Sequence, residues 1–246
     1  MRGMMRLALL GVPGAQGGAS VPTTFTLVAT TTADAQTVTI QKLQATDAYE
    51  IDWGDGSAPQ AVAAGYSGTL THKYASAGAY NVVLPQAAGY TAIDIRDSKI
   101  GMTVTAANPF PSVTSSVALY NLPNLTWTVS TDTPFPSVTS SVYLYNLPGL
   151  TWGSGAATNL HRVGAITYES SLSQQAVDAV LADLYSVFPA RTKVGTIDLL
   201  GGGNAAPSGT LQAACPPTTG KEYAYELVND SCGVSSFHWT SVSIQA

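Results

Sequence analysis

Charge is what this chain has least of. Only 10 % of its 246 residues are Asp, Glu, Lys or Arg, against about a quarter in ordinary soluble domains. The ten Lys and Arg are scattered and the net charge is −5, so the basic patch that draws a protein onto phosphates is missing and nucleic-acid binding has no support. Cysteine is nearly absent too. Cys215 and Cys232, with no histidine pair nearby, are too few for a structural zinc site. No apolar run reaches the roughly 20 residues of a membrane-spanning helix. The three histidines, His72, His161 and His238, stand in three different segments. There is no Gly-x-Ser-x-Gly elbow, no His-Glu-x-x-His and no strand-bound Gly-x-Gly-x-x-Gly. Gly220-Lys221 looks like part of a phosphate loop, but Cys215 stands where its first glycine belongs and Glu222 replaces Ser/Thr. The chain is therefore expected to be no enzyme and to hold no cofactor. Its abundant Thr, Ser, Ala and Gly suit a β-rich extracellular or particle-bound protein rather than a disordered one.

What is present is a repeat. Residues 109–127, Pro-Phe-Pro-Ser-Val-Thr-Ser-Ser-Val-Ala-Leu-Tyr-Asn-Leu-Pro-Asn-Leu-Thr-Trp, return as residues 134–152, and only Ala118/Tyr143 and Asn124/Gly149 differ. A period of this length marks stacked coils, because one such unit cannot bury its apolar face alone. Divergent end coils are expected. Ile93, Ile95 and Ile100 match Val117, Leu119 and Leu125 at offsets of 24–25, and Ile166 and Leu172 match Leu144 and Leu150 at 22. In each coil Val117 and Leu119 point inward from a short strand while Ala118 and Tyr120 point outward. Asn121 serves the turn and Pro123 ends the pairing. Val-x-Leu-Tyr-Asn-Leu-Pro-x-Leu resembles the leucine-rich-repeat solenoids of bacterial surface proteins, although its Asn comes one position early.

Upstream, alternation at Phe25, Leu27 and Ala29 and at Val38 and Ile40 predicts two strands joined by Thr30–Gln36. Tyr49–Ser57 reads as a strand ending in a tight Asp-Gly turn, followed by a hairpin whose second strand starts after Gly78. Asp52-Trp53-Gly54-Asp55-Gly56-Ser57, His72-Lys73-Tyr74 and Gly78-Ala79-Tyr80-Asn81-Val82-Val83-Leu84 resemble, in order, the elements of a PKD-type immunoglobulin-like β-sandwich. The first is shortened, lacking the aromatic before the glycine. The resemblance implies a structural role for His72.

Downstream, Val177, Val180, Leu181, Leu184 and Phe188 have helical spacing after Ser173, with Pro189 as the stop. Gly195–Leu200 and Trp239–Ile244 read as strands. Thr219-Gly-Lys-Glu222 is a capping-box signature before Tyr223, Ala224, Leu227 and Val228. The expected fold is mainly β with a few helices. It divides into an N-terminal arm (1–20), a PKD-like sandwich (21–86), a leucine-rich-repeat-like solenoid (87–172) and an α/β C-terminal cap (173–246). The order of these parts, with Gly202-Gly-Asn-Ala-Ala-Pro-Ser-Gly209, Cys215 and Gly220-Lys-Glu222, is similar to structural proteins of tailed bacteriophages and to bacterial surface proteins.

Tyr120 and Tyr145, at equivalent positions on adjacent coils, and Tyr143 beside them are the candidate binding residues. They can stack on sugar rings or dock a partner, or simply form a ladder that steadies the coils. Trp127 and Trp152 read as packing anchors. Asp52, Asp55 and Asp97 raise a calcium site, against the plainer reading that Asp55 caps its own turn. Cys215 and Cys232 form a disulfide if the protein is exported and stay as thiols if it assembles in a cytosol. Met1–Ala19 reads either as an intact arm or as a signal-like segment. The expected role is a non-enzymatic virion protein on a phage surface: a fibre, tip or decoration subunit with receptor binding. The alternatives are a secreted adhesin and an accessory carbohydrate-binding module. Expected partners are other virion or surface proteins, copies of itself, and a host glycan or receptor.

Overall fold

The computed structural model describes residues 24–85, 89–104, 113–129, 135 and 137–246. The expected arm at 1–20 and the repeat's prolines at 109, 111, 134 and 136 lie outside them. The chain is mainly β with two α-helices among the described residues.

The first seven strands are β1 (Thr24–Thr31), β2 (Thr37–Ile40), β3 (Lys42–Ala45), β4 (Tyr49–Ile51), β5 (Gln60–Val62), β6 (Leu70–Lys73) and β7 (Gly78–Pro85). Alternation puts Leu27, Ala29, Val38, Ile40, Val82 and Leu84 inside, each at most 1 % exposed. The anticipated hairpin ending in the strand after Gly78 does not form, since β6 and β7 do not pair with each other. β1 pairs with β7 and β2 with β6, and of the consecutive strands among these seven only β4 and β5 pair with each other. The Trp-Gly-Asp-Gly element wraps one cluster. Buried Trp53 stacks on His72 at 5.0 Å, and Tyr74 donates its hydroxyl to Trp53 O at 2.9 Å. Gly54, at φ +78°, has its reason in space, since a Cβ there would lie 2.3 Å from Asn81 O.

The repeat region supplies β8 (Tyr90–Ile95), β9 (Ile100–Val104), β10 (Ser116–Tyr120), β11 (Leu125–Val129), β12 (Ser141–Tyr145), β13 (Leu150–Trp152) and β14 (Ala165–Glu169). Each near-identical copy gives one strand to each of two ladders. In the first, β8, β10, β12 and β14 run parallel, and Ser116–Tyr120 align with Ser141–Tyr145 at the sequence period of 25. In the second, β9, β11 and β13 run parallel, but Trp127 sits beside Leu150 and Thr128 beside Thr151, an offset of 23. The worn end coils enter differently from the sequence matching. Met102, not Ile100, stands beside Leu125, and Tyr168, not Ile166, stands beside Leu144. Leu172 joins no strand and leads into a helix.

Both ladders continue across the expected division near 86, and the first also across that near 172. β3 pairs antiparallel with β8 and β1 with β9, tying the first seven strands to the repeats. Beyond β14, α1 (Gln174–Ser186), β15 (Gly195–Asp198), α2 (Gly220–Asn229) and β16 (Trp239–Ser243) follow. β15 and β16 extend the first ladder in parallel, with a helix in each crossover as parallel pairing requires. The result is a seven-stranded sheet ordered β16-β15-β14-β12-β10-β8-β3 and a five-stranded sheet ordered β13-β11-β9-β1-β7. Val117, Leu119, Leu125, Val142 and Leu144, at most 1 % exposed, belong to one continuous core.

The helix signals hold. Ser173 Oγ accepts Ala176 N at 3.2 Å, and Val177, Val180, Leu181 and Leu184 form the buried face of α1. The helix stops at Ser186, so Phe188 is buried from a 3-10 turn that follows it. On α2, Glu222 accepts Thr219 N at 3.1 Å, closing the capping box. Amide and hydroxyl donors from Thr218 and the Gln212 amide hold its carboxylate down to about 2.

Candidate functional site

The in-register first ladder sets side chains of one copy beside those of the next, on the face turned away from the core. One row runs Asp94, Ala118, Tyr143, Thr167, Asp198. The neighbouring row runs Tyr120, Tyr145, Glu169. Arg96, one residue past β8, reaches the same place, with its Cζ 4.5 Å from the centre of the Tyr120 ring. Asp94 fixes the guanidinium by two bonds of 2.7 Å and thereby raises its pKa.

The three candidate tyrosines are therefore brought together. Tyr120 lies 6.0 Å from Tyr145 and 6.5 Å from Tyr143, ring centre to ring centre. All three are half-buried, and burial pushes the Tyr120 hydroxyl pKa up. Ala118, across from Tyr143, is only 6 % exposed although it points to the open face. Glu169 closes the strip with a carboxyl pKa raised by burial and by the charge of Asp198. Flat ring faces beside a fixed guanidinium and two carboxylates can hold a ligand with one apolar face and a hydroxyl rim.

Other expected residues fall elsewhere. Asn121 and Asn146 take the left-handed conformation, at φ 53° and 49°, and Asn146 Nδ2 donates to Asn121 Oδ1 at 2.9 Å. They form a ladder from copy to copy rather than capping their own turns. Trp127 is buried against Phe135 at 5.6 Å. Trp152 is half-buried beside a shallow cleft of about 440 Å³, its Nε1 donating to Asp183 at 3.0 Å. Asp183 also accepts Gly155 N and Ala157 N, so its carboxylate organises that turn.

Asp52, Asp55 and Asp97 serve their surroundings. Asp52 accepts Gly54 N, and Asp97 accepts Thr39 N and Lys99 N. Asp55 accepts the Ser57 hydroxyl at 2.6 Å and meets His72 at 2.8 Å, which lowers its pKa to about 2. Among the described residues, the one convergence of three ligand-type side chains is Cys215, Glu226 and Cys232. Both sulfurs there are joined in a disulfide. Glu226, fully buried, accepts Ala214 N, Cys232 N and the Ser231 hydroxyl.

Two residues carry more structure than their sequence context announces. Asn204 accepts Ser170 N and Leu172 N and donates to Tyr168 O and Leu199 O, which stitches β14 to the end of β15. The left-handed Gly202 and Gly203 before it were the available signal. Arg191, 4 % exposed, lays its guanidinium on Trp239 at 3.2 Å, and burial lowers its pKa to about 10. Among the described residues, no helix is long and apolar enough to cross a membrane. No protein-family model matches the chain, and comparison with curated proteins and with solved structures finds nothing similar.

Proposed function

We propose that the chain is a non-enzymatic, surface-exposed structural and binding protein, a bacteriophage virion component serving as tail fibre, tip or decoration, with the tyrosine strip as its receptor-contacting face. In this reading the first seven strands are a PKD-type immunoglobulin-like sandwich. The repeats are a short leucine-rich-repeat-like solenoid, and the segment around α1 and α2 covers its end. The observation that carries the reading is the register of β10 on β12, which gathers Tyr120, Tyr143 and Tyr145 beside Arg96 on the outer face. A glycan or an extended surface receptor fits such a strip.

A second reading, a secreted bacterial adhesin, is favoured by the Cys215–Cys232 disulfide, because such bonds persist in oxidising compartments. Mass spectrometry of purified particles tests the first reading, which expects the protein among the virion subunits. Intact mass of the native protein tests the second, which expects loss of about the first 19 residues, in keeping with signal-peptide processing. A glycan array with wild type and with Tyr120/Tyr143/Tyr145→Ala tests the strip. Equal binding by both removes it as the contact face.

A further inference from the structure

The two large sheets have four outer edges, and three of them are blunted. β7 is bridged by Asp52, which exchanges two main-chain bonds with Val83, and it ends in Pro85. β3 has four residues, carries Lys42 and is bulged at Gln44/Ala45. β13 has three residues and is tied through Trp152 to Asp183 of α1. These are the usual devices against edge-to-edge pairing. β16 shares only the bulge, at Thr240, because Trp239 and Ser241 stand opposite the consecutive residues Gly195 and Thr196. It is five residues long, Trp-Thr-Ser-Val-Ser, with no charge, no proline, and among the described residues no strand on its outer side.

The interior also stops short there. Ile93, Val117, Val142, Ile166 and Ile197 form a row through the sheet, each at most 1 % exposed. Val242, next in that row, is only partly buried. Exposed Val194 and Phe237 share a shallow hollow with Trp239 and Thr240 at the start of this edge. Val194 is 57 % and Phe237 43 % exposed, and Leu200, whose carbonyl Gln245 reaches, is 46 % exposed.

We propose that β16 is a self-association edge, where a second copy of this chain pairs antiparallel across a two-fold axis through Ser241. The pairing is isologous, so it closes as a dimer. The blunted β3 edge opposes the head-to-tail alternative, β16 on β3, which would grow without end. The register supplies the complementarity. Phe237 and Val194 lie at the start of β16 and β15, and Leu200 lies past the end of β15, where Gln245 reaches its carbonyl. A two-fold through Ser241 sets residue 237 of one copy opposite residue 245 of the other, so each exposed apolar rim meets the opposite rim. The uncharged edge brings no like charges together.

The inference does not rest on the tyrosine strip, so ligand binding and dimerisation can fail separately. Ser241, exposed and on the axis, is changed to Lys in one variant and to Asp in another, and full-length chains are measured by light scattering on a sizing column. Wild type is expected at twice the chain mass. Ser241→Lys and Ser241→Asp, each with the far-ultraviolet circular dichroism of wild type, are expected as monomers with self-association at least tenfold weaker. Their equimolar mixture is expected to recover the dimer. A wild type that stays monomeric as its concentration is raised overturns the proposal. So does a dimer unaffected by Ser241→Lys, or a mixture that fails to associate.

Discussion

Two stretches of nearly the same sequence, residues 113–127 and 138–152, occupy different surroundings. In the first ladder the copies are interchangeable, because Tyr120 lies beside Tyr145 and Leu119 beside Leu144. In the second they are not, because β13 is slipped by two residues relative to the sequence period. The slip separates the tryptophans. Trp127 is enclosed against Phe135, while Trp152 reaches an open cleft and bonds to Asp183. It also accounts for one of the two differences between the copies. A Cβ at Gly149 would stand 2.1 Å from Leu125 O, so no side chain fits there. Asn124 has its side chain where Gly101 gives way, since a Cβ on Gly101 would meet Asn124 Cβ at 2.7 Å. Each copy thus requires a glycine on one side of the contact. Identical sequence fixes the strand and its facing, and the neighbour decides the rest.

The largest break in the comparison is Trp127→Ala against Trp152→Ala. Removing the enclosed ring is expected to cost about 3–5 kcal/mol, and removing the half-buried one about 2 kcal/mol from smaller burial and one hydrogen bond. Denaturant midpoints of the two variants measure the gap, and equal losses would contradict the slip. Next comes exchange of the differing residue. Gly149→Asn is expected to lose about 1–3 kcal/mol by overpacking, while Asn124→Gly loses only about 0.5–1 kcal/mol of backbone entropy. Below that, Asn146→Ala is expected to cost about 1–2 kcal/mol because alanine tolerates the left-handed conformation poorly. Asn146→Gly keeps the conformation and should cost less, so calorimetric melting of the pair separates backbone strain from the lost Asn121 bond. The smallest change in stability is Tyr143→Ala, within about 0.5 kcal/mol as for most surface positions. Its effect is expected in ligand binding instead, read on the same glycan array as wild type.

The parts of this fold that were legible in the sequence are those in which one residue answers to one local need. The 25-residue period gave the parallel pairing of β10 and β12, and alternation gave the inward and outward faces. Ser173 and Thr219 marked both helix starts. The tyrosine strip was legible for the same reason, since equal positions in equal coils must align. Pairing between distant segments was not legible. Alternation tells a strand which face to bury but not which strand to join, so the passage of β6 and β7 to separate sheets left no local mark. The slip in the second ladder comes from backbone stagger, which matching side chains do not encode. Arg96 and Glu169 escaped attention because each is an ordinary surface charge until the register places it beside a tyrosine. Asn204 makes four bonds to four different main-chain groups; Gly202 and Gly203 before it signal a turn without specifying those partners.

The five-residue register between the two copies also bears on how such a molecule changes length. A unit inserted between β10 and β12 would find the same main-chain partners above and below, provided it carries glycine where Gly149 stands. Both ends of the chain would keep their present neighbours. Each insertion would move them apart by one strand spacing, about 4.8 Å, and add another aromatic rung. Reach and valency would then rise together, by duplication of a single segment of the gene.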